Sequence, residues 1–128
     1  MRFCIASMCC AVMLFTNGSW ADDAGDSVIH GAGGRSCGEY VRVVDGSSRS
    51  VDDVRDSIEM LQWMEGYLSY FNSSVSDTYD TMGGTDAQGI KLWLYNYCKS
   101  HPLEYFKQSV DSLIVTLWPL RLSHKPRP

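Results

Sequence analysis

From position 37 onward, apolar residues recur every three or four places and no stretch alternates strictly between apolar and polar, a pattern that predicts helices rather than strands. Cys37 to Val44 reads as a short first helix, capped by Ser36 and stopped by Asp45-Gly46-Ser47-Ser48. Ser50 followed by Asp53 resembles a capping box and opens the longest candidate, Val51 to Asn72. Its positions Val51, Val54, Ile58, Leu61, Met64, Leu68 and Phe71 predict one buried face. Trp63, Tyr67 and Tyr70 widen that face, while Asp52, Asp53, Asp56, Glu59 and Glu65 take the opposite side. Gly66 costs about 1 kcal/mol relative to Ala inside a helix, and its simplest use is the close approach of another helix.

The polar stretch Ser73 to Gly84 predicts a loop. Thr85 with Gln88 forms a second capping-box pattern, after which Ile90, Trp93, Leu94, Tyr97 and Cys98 fall on one helical stripe. Pro102 predicts the first turn of a fourth helix, making Lys99-Ser100-His101 a corner. Leu103, Phe106, Val110, Leu113, Ile114 and Leu117 form that helix's apolar face, and Pro119 ends it. The expected architecture is all-α: a small four-helix domain over residues 37–118, a Gly-rich flexible leader at 22–36 and a basic, Pro-rich tail at 119–128.

The N-terminus changes how the cysteines are read. Met1-Arg2 is followed by an apolar run from Phe3 to Phe15, then by small residues Ser19 and Ala21 and an acidic Asp22-Asp23. This predicts a secretory signal peptide at 1–21, because the run falls short of the roughly 18 to 20 residues of a membrane span. Cleavage removes Cys4, Cys9 and Cys10 and leaves Cys37 and Cys98. In an oxidising compartment two thiols of a small domain are most simply one disulfide. A redox pair is disfavoured by the absence of Cys-x-x-Cys, and a metal site by the lack of ligand spacing around His30, His101 and His124.

Composition narrows the function classes. The chain has 128 residues with 11 Lys+Arg against 15 Asp+Glu, enough for one domain and too acidic for a nucleic-acid binder. No nucleophile motif, phosphate-cradling Gly loop or zinc-binding helix is present, so no enzyme activity, cofactor or metal is expected. Asn72-Ser73-Ser74 formally matches a glycosylation acceptor, which is read as a chance match if the chain is bacterial.

Four features stand in order: Cys37-Gly38-Glu39-Tyr40, Trp63-Met64-Glu65-Gly66-Tyr67, Asp86-Ala87-Gln88-Gly89 and Tyr97-Cys98-Lys99-Ser100-His101-Pro102-Leu103. Their layout resembles that of the HdeA/HdeB family of small exported proteobacterial proteins, over about Cys37 to Leu117. The resemblance implies an all-helical fold, a disulfide joining Cys37 to Cys98, and a periplasmic, acid-activated chaperone activity. His101 before the proline and the long Gly-rich leader depart from the family pattern.

Elementary electrostatics points the same way. Protonating the carboxylates in strong acid turns the net charge positive, and self-repulsion loosens a small domain. Residues 22–89 hold 13 acids and 4 bases and residues 90–128 hold 2 acids and 6 bases, so attraction between the halves is expected at neutral pH and lost in acid. The loosened form would offer Trp63, Met64, Tyr67, Phe71, Trp93 and Phe106 to unfolded periplasmic proteins, with no nucleic acid or membrane as partner and a homodimer as a further assembly the chain could form. A second reading is an immunity or accessory interaction protein that binds a toxin or a secretion-system component. Trp93-Leu94 to Pro102 and the last helix partly resemble Tai-type immunity proteins, and the Asp77-to-Asp86 loop with Tyr79 and Met82 would face the partner.

Overall fold

A computed structural model describes residues 28–45 and 50–127. The expected signal peptide at 1–21, leader residues 22–27 and the Gly46-Ser47-Ser48 turn lie outside the described residues. The fold is all-α with four helices: α1 (Cys37–Asp45), α2 (Val51–Ser74), α3 (Ala87–Ser100) and α4 (Phe106–Leu117). Among the described residues there is no strand, and no helix is long and apolar enough to cross a membrane.

The shortest helix is the central one. α1 lies against α2, α3 and α4, and its inward positions Cys37, Tyr40 and Val43 are fully buried at the three-residue spacing of one helix face. Tyr40 packs on Phe106 of α4 with ring centroids 4.9 Å apart. Met60, Leu94, Val110 and Leu113 complete the core from the other helices. Burying each such side chain favours the fold by about 1.5–3 kcal/mol. Cys37 and Cys98 form the expected disulfide, joining the first residue of α1 to the end of α3 across 61 positions of sequence.

The caps follow the sequence with two adjustments. Ser36 Oγ accepts from Glu39 N–H at 3.1 Å at the start of α1, and Ser50 and Asp53 make a reciprocal capping box on α2. For α3 the cap is Asp86 rather than Thr85, its carboxylate accepting from the N–H groups of Gln88 and Gly89. A carboxylate reaches the N2 and N3 amides and complements the helix dipole. Pro102 does not open α4. His101 to Glu104 form a turn, and α4 begins at Phe106 with Gln108 accepting from Tyr105 N–H at 2.8 Å.

Three expectations are corrected. The leader is not loose up to Ser36: Gly31–Gly34 form a 3-10 turn with Ala32 and Gly33 buried. Small residues let this turn lie flat on α2, where a Cβ at Gly33 would run into the Trp63 indole. The tail is folded at its start, since Trp118–Leu120 make a second 3-10 turn and Leu122 pairs by backbone with Asp80. Gly66 faces open space and admits no neighbouring helix, with nothing within 4 Å of a Cβ built on it.

The buried face of α2 is also turned from the expected one. Ser57, Met60, Met64 and Leu68 point inward, whereas Val51, Val54 and Ile58 are 84%, 40% and 49% exposed. α2 packs on α1 and the 31–34 turn, while α3 packs on α1 and α4. The first turns of α2 therefore have no helix over their Val54–Ile58 edge.

These contacts set opposite outcomes for two glycines. Gly66→Ala should raise stability by about 0.5–1 kcal/mol, because it removes backbone entropy on an open helix face. Gly33→Ala should lower it by about 1–3 kcal/mol through overpacking against Trp63. Urea unfolding at neutral pH checks both.

Candidate functional site

The residues expected to meet a client fall into three groups. Trp63 stacks on Tyr67 with centroids 5.2 Å apart and meets Phe106 edge-on at 6.3 Å. Phe71 meets Trp118 edge-on at 6.1 Å. Trp93 stacks on Tyr97, which stacks in turn on His101. Met64 and Phe106 are core residues, 4% and 0% exposed, and Trp63, Tyr67, Phe71 and Trp93 are half-buried. The folded protein thus keeps this surface largely covered.

The cover over the first group is the 28–36 segment. Trp63 Nε1 donates to the carbonyl of His30 at 2.9 Å, Phe106 N–H donates to Arg35 O at 2.8 Å, and Cys37 N–H donates to Glu104 O at 2.8 Å. The Arg35 side chain secures the segment electrostatically. Its guanidinium lies 3.1 Å from Glu59, 3.5 Å from Asp56 and 3.7 Å from Glu39, one cation among three carboxylates from α1 and α2. Isolated surface pairs contribute about 0–1 kcal/mol, and a shared network of several charges is the arrangement that contributes more.

Carboxylates make the other long-range polar contacts too. Arg42 of α1 donates to Asp53 of α2 at 2.6 Å. Tyr67 of α2 donates to Asp111 of α4 at 2.9 Å, and Lys107 pairs with the same carboxylate at 2.7 Å. Tyr97 of α3 donates to Glu104 at 2.9 Å and accepts from Ser112 of α4. Hydrogen bonds from Ser50 hold the Asp53 carboxyl below the usual carboxylate range, with Arg42 adding to the effect. Burial and the bond to Asp111 raise the Tyr67 hydroxyl. For Lys107, burial lowers the ammonium but its bonds to Asp111 and Tyr67 prevail and raise it.

The expected attraction between an acidic and a basic half is not realised as ion pairs. Every ion pair among the described residues joins groups of the same half, with Arg35, Arg42 and Arg55 pairing inside the acidic one. Of the basic half, Lys107 pairs with its own neighbour Asp111.

The 75–86 loop is anchored rather than free. Thr81, fully buried, donates through its backbone and hydroxyl to Asn72, and a Cβ at Gly83 would collide with the backbone of Leu120. Tyr79 is 47% exposed while Met82 packs against the core. His101 Nδ1 lies 2.9 Å from Tyr97 O. Among the described residues no three His, Cys, Asp or Glu side chains gather as a metal site requires.

Sequence reasoning missed three participants: Arg35, Tyr40 and Trp118. Arg35 was hidden in a Gly-rich stretch, and the clustered glycines themselves were the signal that the chain packs closely there. Tyr40 stands three residues after Cys37, on the same face. No family model, curated protein or solved structure matches this chain.

Asp53 gives a pH prediction with a definite sign. A carboxyl depressed in the folded state stabilises it fully above the unfolded value of about 4, and the contribution drains as pH falls through the lower folded value. Asp53→Asn should therefore lower stability at pH 7, leave it unchanged near pH 2, and flatten the decline between. Urea midpoints measured across that range report the slope.

Proposed function

We propose that this chain is an exported, acid-activated holding chaperone of the HdeA-like kind, acting in the periplasm. The observation that carries this reading is the cover on the Trp63–Tyr67–Phe106 cluster: the 28–36 segment is held by Arg35 through three carboxylates. Protonation removes the charges that attract Arg35 and leaves an excess of positive groups, so the cover loosens as pH falls. The Cys37–Cys98 bond does not titrate and keeps α1 joined to α3, which limits how far the loosened chain expands. Unfolded periplasmic proteins are the clients, held by the aromatic and methionine surface beneath; no cofactor takes part.

A second reading, a periplasmic immunity or accessory protein, draws on a different observation. Ile58 and Leu92 are exposed in the folded state beside a groove between α2 and α3, which would suit a partner at neutral pH.

The deciding experiment follows the aggregation of a model periplasmic client at about pH 2 to 3 and at pH 7, with and without the protein, together with a pull-down at neutral pH. The chaperone reading expects suppression of aggregation in acid near stoichiometric ratios and none at pH 7. It is overturned by absence of protection in acid together with one tight neutral-pH partner.

A further inference from the structure

α1, α2 and α3 enclose a groove of about 630 Å³, within the roughly 300–1,000 Å³ typical of small-ligand sites. One wall is the α2 edge Val54, Ile58 and Leu61, and Leu92 of α3 stands opposite. Tyr40 lines it from α1. This tyrosine is 0% exposed, and its hydroxyl has no hydrogen-bond partner among the described residues. A buried hydroxyl left unpaired is destabilising, so its presence where phenylalanine would fill the same space calls for a use.

We infer that this groove is a binding site for a small, uncharged acyl compound, such as a ketone, ester or amide, whose entry shifts the flanking side chains to uncover Tyr40, whose carbonyl then accepts a hydrogen bond from that hydroxyl, and whose alkyl chain lies between Ile58 and Leu92. Burial pushes the Tyr40 hydroxyl up to about 12, so it stays protonated and acts as a donor. An uncharged acceptor fits better than a carboxylate, because among the described lining residues the one cation, Lys91, is offset by Asp45. With these two described charges opposed, a buried anion would lack a dedicated partner. The apolar walls match an alkyl chain, and the exposure of Ile58 and Leu92, 49% and 61%, leaves the side chains that flank the groove free to shift as a ligand enters. This site belongs to the folded protein at neutral pH and is separate from the acid-released surface.

The test is a titration of the oxidised protein at pH 7 with 2-decanone and, separately, with decanoate, followed by amide and methyl NMR shifts. The expected result is saturable shifts centred on Ile58, Leu61 and Leu92 with 2-decanone, and affinity at least five-fold weaker for decanoate. Tyr40→Phe should weaken 2-decanone binding by about five- to ten-fold while the melting temperature holds or rises, since the unpaired hydroxyl is gone. Leu92→Glu, at an exposed position that leaves the core intact, should abolish binding. Absence of saturable shifts, equal affinity in Tyr40→Phe, or unchanged binding in Leu92→Glu would each overturn the assignment.

Discussion

The bond between Cys37 and Cys98 is the constraint on which the other contacts depend. It fixes the first residue of α1 to the end of α3, and α1 has only 9 residues, too few to be stable as a helix without tertiary support. Around the bond, Cys37 and Gly38 donate their N–H groups to Glu104 and Pro102, so the turn into α4 is built onto the same point. Tyr40, one turn further along, carries the contact to Phe106. Three helices therefore meet around a segment that the bridge holds in position.

The protein divides its cohesion between contacts that acid leaves alone and contacts that acid removes. The disulfide and the apolar core of Met60, Leu94, Phe106 and Val110 are independent of proton concentration. The Arg35 cluster and the Arg42–Asp53 and Lys107–Asp111 pairs are ion pairs that rest on a charged carboxylate. Those contacts lie on the outer elements: the 28–36 cover, the start of α2, and the α2–α4 seam. The centre, by contrast, is tied covalently.

The helix pattern was legible because each helix has its own cap and a three-to-four spacing of apolar residues, as with Ser50 and Asp53 on α2. What periodicity alone misjudged was which edge of a long helix has a partner. Val54 and Ile58 carry the same local signal as Met64 and Leu68, and only the short reach of α1 and the placement of α3 decide that they are exposed. The 31–34 turn was missed for the opposite reason: it buries almost no side chain and is held by backbone contacts and by the space that Gly33 leaves for Trp63. Of the candidate site, the aromatic residues were readable from α2 and α3, but Arg35 was not, since its three partners come from α1 and α2. Opposite charge in two halves of a sequence likewise predicted a pairing that the described ion pairs, each within one half, do not make.

The central claim is that the Cys37–Cys98 bond holds the fold together through α1, and urea unfolding at pH 7 of the oxidised protein against the reduced and alkylated protein tests it most directly. Chain-entropy reasoning for a loop of this length predicts a loss of about 4 kcal/mol on reduction, comparable to the whole stability of many small domains. The reduced chain should accordingly be largely unfolded without denaturant. Coincident unfolding curves for the two forms would contradict the account.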